Sequence, residues 1–133
     1  MIVRIDHIGI AVNSLDEAVK LYSDAFGLKA EDIELETVEE QKVRAAMIPV
    51  GESRFELLES TDPEGVIARY IERKGEGIQH LALEVSDIQG MLKILKEKGI
   101  PLIDMEPRTG FGGSKVAFLH PKGTKVLIEL VEH

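Results

Sequence analysis

The sequence predicts an α+β fold of two tandem βαβββ modules, a curved mixed sheet with its helices on the outside. Three observations predict it. The chain repeats itself at an offset of 73 residues. β-rich runs alternate with amphipathic helical patterns. Turn residues precede the last strand of each copy.

The repeat is clearest where His7-Ile-Gly-Ile-Ala-Val12 meets His80-Leu-Ala-Leu-Glu-Val85. The same offset carries Leu15 to Ile88, Val19 to Leu92, Tyr22 to Leu95 and Glu56 to Glu129. A period this long does not make a solenoid; two copies make a paired-module domain. The 133 residues therefore read as one domain. Module 1 covers about 1–60, a linker helix about 62–74, and module 2 about 77–133.

In module 1, residues 3–12 form a strand that is apolar on both faces, which predicts cover on both sides. Ser14, with Glu17 three residues on, opens a helix. Its stripe is Leu15, Ala18, Val19, Tyr22, Ala25 and Phe26, and Gly27 ends it. Strands follow near 33–38, 43–50 and 54–59, with a hairpin turn at Gly51-Glu-Ser53. Asp62-Pro63 starts the linker helix, which turns Val66, Ile67, Tyr70 and Ile71 inward. Module 2 repeats the order. Its strand is 78–85, and Ser86 with Gln89 caps a helix with the stripe Ile88, Met91, Leu92 and Leu95. Gly99 stops that helix. Strands near 101–104, 115–120 and 125–131 follow, with a turn at Pro121-Lys-Gly-Thr124.

Composition excludes several functions. There is no cysteine, so no disulfide scaffold, thiolate nucleophile or zinc finger. The formal charge of −8 disfavours a nucleic-acid partner, which needs clustered Lys and Arg. Apolar runs reach about five residues, against the roughly 20 that span a bilayer. Charges at Arg4 and Asp6 interrupt the first run before a signal-peptide core can form. The expectation is a soluble cytoplasmic protein without a membrane partner.

Each copy places one histidine in its first strand and one glutamate in its last: His7 and Glu56, His80 and Glu129. A lone strand histidine is ordinarily a satisfied core residue. A glutamate flanked by apolar residues, however, needs a partner to be buried. Four such residues in matched register favour a metal site around which the sheet curves. If the modules pack about a pseudo-twofold axis, the four side chains converge. Two imidazoles and two carboxylates suit one divalent first-row ion per chain: Co²⁺, Mn²⁺, Ni²⁺, Fe²⁺ or Zn²⁺. On a six-coordinate ion they leave two positions for a bidentate substrate. His120, before Pro121, and His133, after the last strand, are read as structural or exposed. Gly110-Phe-Gly-Gly-Ser-Lys115 is either a ligand loop or a plain connection. Lys42, Arg44, Arg108, Lys115 and Lys122 are candidates for the basic patch that an anionic ligand needs.

These residues resemble the vicinal oxygen chelate superfamily and, within it, the methylmalonyl-CoA epimerase family. The most specific pieces are Ile5-Asp-His-Ile-Gly-Ile-Ala-Val12, Gly75-Glu-Gly-Ile-Gln-His-Leu-Ala-Leu-Glu-Val85, Glu106-Pro-Arg108 and Ala117-Phe-Leu-His-Pro-Lys-Gly123. Val126-Leu-Ile-Glu-Leu130 completes them. The resemblance implies a homodimeric isomerase acting on an acyl-CoA thioester, methylmalonyl-CoA, between its (2R) and (2S) forms. It implies His7, Glu56, His80 and Glu129 as ligands, with Co²⁺ the favoured ion. One branch of the family carries a catalytic Glu where this chain has Ala45, and a Gln where it has Glu56. Glu56 and Glu129 are accordingly expected to be the proton-transfer pair as well as ligands. A glyoxalase I-like lyase acting on a glutathione hemithioacetal shares the two-His, two-Glu set. An extradiol dioxygenase uses two His and one Glu. A non-catalytic resistance-type binding protein uses the same fold without metal.

Overall fold

The computed structural model describes all 133 residues. The strands are β1 (Ile2–Ala11), β2 (Glu34–Val38), β3 (Val43–Val50), β4 (Ser53–Ser60), β5 (Gly77–Val85), β6 (Arg108–Thr109), β7 (Lys115–Leu119) and β8 (Ile128–Glu132). The helices are α1 (Leu15–Phe26), α2 (Val66–Lys74), α3 (Ile88–Glu97) and the single turn α4 (Pro121–Thr124). This is the α+β class expected. The chain forms two compact units: Ile8–Gln79, and Met1–His7 together with His80–His133.

In the Ile8–Gln79 unit the strand order is β2-β3-β4-β1. β4 runs parallel to the end of β1, with Gly9 opposite Glu56, and antiparallel to β3, with Met47 opposite Glu56. Gly51 makes the two-residue β3–β4 turn with a φ of 59°, which a side chain would resist. Alternation sorts the sheet faces. Ala46, Ile48 and Leu57 pack with Val12 and Leu15 beneath α1. Ala45, Met47, Glu56 and Leu58 fall on the other face and are also buried.

In the second unit the order is β5-β8-β7-β6, with the first half of β1 beside β5. β8 runs parallel to β5, with Ala82 opposite Glu129. This pairing lies 73 residues beyond Gly9–Glu56, so the repeat holds at the level of strand register. Leu119, Ala117 and Leu130 pack with Ile88 and Leu92 beneath α3. Phe118 and Glu129 are paired on the opposite face.

Several local expectations are corrected. Asp87, not Ser86, caps α3, accepting the Gly90 N–H at 3.0 Å. Asp87 is also the residue 73 beyond Ser14, which caps α1. Asp62 accepts the Glu64 N–H in a turn, and α2 begins only at Val66, which is exposed rather than inward. Phe26 is 68% exposed, at the end of α1 where the helix leaves the sheet. Met1, Ile2, Val3 and Ile5 are exposed, so β1 is covered only from Asp6 onward. The strand near 101–104 reduces to one bridge, Leu102 to Leu119, because Pro101 has no N–H for a ladder. The outermost strand is Arg108–Thr109 instead. Pro121–Thr124 is a helical turn, capped by the His120 side chain.

Candidate metal centre

The site grows from β1, β5 and β8 of one unit. His7 and His80 face each other across β1 and β5, with ring centroids 5.2 Å apart and planes at 87°. Their Nε2 atoms are 3.1 Å apart. Glu129, on β8, brings Oε1 to 2.9 Å from His7 Nε2 and 3.2 Å from His80 Nε2. All three residues are at most 4% exposed. The Phe118 ring closes the side of His80 edge-on, centroids 5.6 Å apart.

Despite these short approaches, Glu129 Oε1 makes no hydrogen bond of proper geometry. A buried carboxylate oxygen left so is costly, and a cation shared with the two imidazoles satisfies it. The spacing fits one. Ligand bonds of about 2.1 Å at right angles put neighbouring donor atoms about 3.0 Å apart. Burial opposes the charge on Glu129, but the His80 and His7 imidazoles outweigh it and hold its carboxyl below the usual glutamate range. His7 Nδ1–H donates to Asp6 Oδ2 at 2.6 Å, which leaves Nε2 as a lone-pair donor.

Glu56 belongs to the other unit. It is 6% exposed and lies on the face of β4 away from α1. Its strand register matches that of Glu129. The expected basic patch is largely engaged elsewhere: Lys42 pairs with Asp62 at 3.4 Å, Arg44 with Asp16 at 3.5 Å and Arg108 with Asp104 at 3.1 Å. Lys115 reaches Glu132 at 4.0 Å. The glycine-rich segment closes on itself, Gly110 N–H to Ser114 O and Ser114 Oγ–H to Phe111 O, both 2.9 Å. That is the geometry of a plain connection into β7.

Two residues next to the site were missed from the sequence. Asp6 is buried, and His133 is neither idle nor merely exposed: its Nε2 lies 2.6 Å from Asp6 Oδ1. The Asp-His dipeptide at 6–7 was the only available signal. A contact spanning 127 residues leaves none.

The pattern of the Glyoxalase/Bleomycin resistance protein/Dioxygenase superfamily matches residues 6–118. Protein YqjC of Bacillus subtilis (strain 168) is 39% identical over 130 residues, 97% of this chain and 91% of YqjC. The mitochondrial methylmalonyl-CoA epimerase of Dictyostelium discoideum is 33% identical over 131 residues, 97% of this chain and 78% of that protein. A solved methylmalonyl-CoA epimerase, in complex with methylmalonyl-CoA and NH4⁺, superposes with a TM-score of 0.92 at 37% identity. It covers 99% of this chain and 95% of that one.

Proposed function

Because the chain belongs to the glyoxalase/bleomycin resistance protein/dioxygenase superfamily, we propose that it is a metal-dependent methylmalonyl-CoA epimerase. It interconverts the (2R) and (2S) thioesters. One observation carries the chemistry: the buried, unbonded Glu129 Oε1 between two imidazole Nε2 atoms. The substrate comes from relatives and solved structures of that name, at 33% to 37% identity over nearly the full chain. The reading extends to a cytoplasmic homodimer, although the site's chemistry requires only the acyl-CoA thioester. No helix is long and apolar enough to cross a membrane.

His7, His80 and Glu129 hold one divalent ion, with Glu56 as the fourth ligand. Support for Glu56 is its burial and its register opposite Gly9, matching Glu129 opposite Ala82. Co²⁺ is the first choice; Mn²⁺, Ni²⁺, Fe²⁺ and Zn²⁺ suit the same donors. When bound, the ion supplies Lewis-acid stabilisation of the negative charge that develops as C2 loses its proton.

The chain's own part is proton transfer. Inverting C2 requires one group to take the proton from one face and another to return it on the opposite face. Glu129 and Glu56 are that pair. Glu129 is held ionised by its imidazole neighbours and so starts as acceptor. Ala45 is fully buried and has nothing to titrate, so Glu56 is left as the second group. Burial of these side chains keeps bulk water from competing for the proton.

The test is Glu56→Gln, with bound metal and C2 proton exchange measured separately. Exchange should fall at least about tenfold, on the scale of a lost acid/base group. Metal retained with exchange unimpaired would remove Glu56 from the mechanism.

A further inference from the structure

The strand that supplies Glu129 leads, one residue past its end, to His133, and His133 reaches back to the residue before His7. Its Nε2–H donates to Asp6 Oδ1 at 2.6 Å. The other oxygen of the same carboxylate accepts the His7 Nδ1–H, also at 2.6 Å. Asp6 is only 5% exposed, so its charge depends on protein donors.

We propose that Asp6 and His133 are positioning residues. His133 anchors the Asp6 carboxylate, and Asp6 fixes His7 in the tautomer that presents a bare Nε2 to the metal. This inference rests on His7 being a ligand.

The need for the brace follows from the site itself. An imidazole carries one ring proton and can hold it on either nitrogen. Glu129 Oε1, 2.9 Å from His7 Nε2, attracts that proton toward the nitrogen that must ligate. Asp6 competes for it from the other side at a shorter distance. A carboxylate free to rotate would compete less well, and His133 stops that rotation by holding the second oxygen. Carboxylate-braced histidine ligands of this kind bind metal more tightly and in one orientation. The brace belongs to His7: the residue 73 positions after Asp6 is Gln79, which has no charge.

Asp6, Glu84 and His133 also place ligand-type atoms within 4.8 Å of one another. A second cation there is disfavoured, because Glu84 is already paired with Arg4 at 3.0 Å. The 2.6 Å approach of His133 to Asp6 is also a hydrogen-bond distance.

The experiment uses the full chain, stripped of metal by chelation and labelled with ¹⁵N at histidine. Two-bond ¹H–¹⁵N correlations read the His7 tautomer, and competition with a chelating dye reads Co²⁺ affinity. Wild type should bind one Co²⁺ and hold His7 as the Nδ1–H form. His133→Ala should mix the two tautomers and raise the Co²⁺ Kd about 3- to 10-fold. His133→Gln, whose amide can donate to the same oxygen, should restore most of both. Asp6→Asn, a weaker acceptor, should raise the Kd about 10- to 100-fold.

An unchanged tautomer and Kd in His133→Ala would overturn the brace. So would a loss that His133→Gln does not repair. A second Co²⁺ equivalent, absent from His133→Ala, would overturn it in favour of a cation site. Wild type that binds no Co²⁺ would instead overturn the reading of His7 as a ligand.

Discussion

The carboxylate of Glu132 accepts the backbone N–H of Ile88 at 2.8 Å. Glu59 does the same for Leu15 at 2.7 Å, and each pair lies 73 residues from the other. Both glutamates sit three residues beyond the site glutamate of their strand. Each thus ties the start of a helix to the strand that carries Glu56 or Glu129. The bond also satisfies one of the orphan N–H groups at a helix N-terminus, where negative charge is favoured. Glu132→Ala should therefore lower the free energy of unfolding in urea by about 0.5–2 kcal/mol, as for other lost caps. An unchanged midpoint would show that water replaces the carboxylate without cost.

Gly110 and Gly51 should both resist substitution, for different reasons. A Cβ on Gly110 would lie 2.6 Å from Val116 Cγ1, at a backbone φ of −113° that any residue adopts. Gly110→Ala should cost about 1–3 kcal/mol through overpacking, and Val116→Ala should relieve part of it. At Gly51 nothing lies within 4 Å, but φ is +59°. Gly51→Ala should cost about 1–2 kcal/mol from the backbone alone, with no rescue by any neighbour. Thermal melts of the three single variants and the Gly110/Val116 double variant separate the two causes.

Asp62 makes the stability of its turn depend on pH. The Glu64 N–H, and then Lys42, hold its carboxyl below the ordinary value of 3.8. A group depressed on folding contributes stability above its unfolded pKa and loses it as pH falls through the folded one. Wild type should lose this contribution below about pH 3.8, and Asp62→Asn should lose less on the same descent. High salt should shrink the Lys42 part of the difference, because that pair is partly exposed. Equal acid sensitivity of the two proteins in matched melts would show that Asp62 has no such role.

How much of this was legible in the sequence depends on the residue. His7, His80, Glu56 and Glu129 stand out because type, strand context and offset coincide, and three independent coincidences rarely meet in a surface residue. The helices follow from periodicity and caps. The Asp87 cap was legible too, had the offset of 73 been applied to Ser14 rather than to a favoured residue type. Asp6 was not. Strand alternation sends it to the face opposite His7, and periodicity does not describe a side chain that bends back to its neighbour. His133 was hidden by sequence distance, and β6 by the prolines around it, which break a ladder without saying where the next one begins.

The most direct test of the account is deuterium wash-in at C2 of methylmalonyl-CoA in D₂O. The protein is stripped of metal and reloaded singly with Co²⁺, Mn²⁺, Ni²⁺, Fe²⁺ or Zn²⁺. The account predicts no exchange without metal, restoration by at least Co²⁺, and loss of about 100-fold or more in Glu129→Gln. Exchange that persists after complete metal removal would contradict it. So would its absence with every ion while the methylglyoxal–glutathione hemithioacetal is turned over.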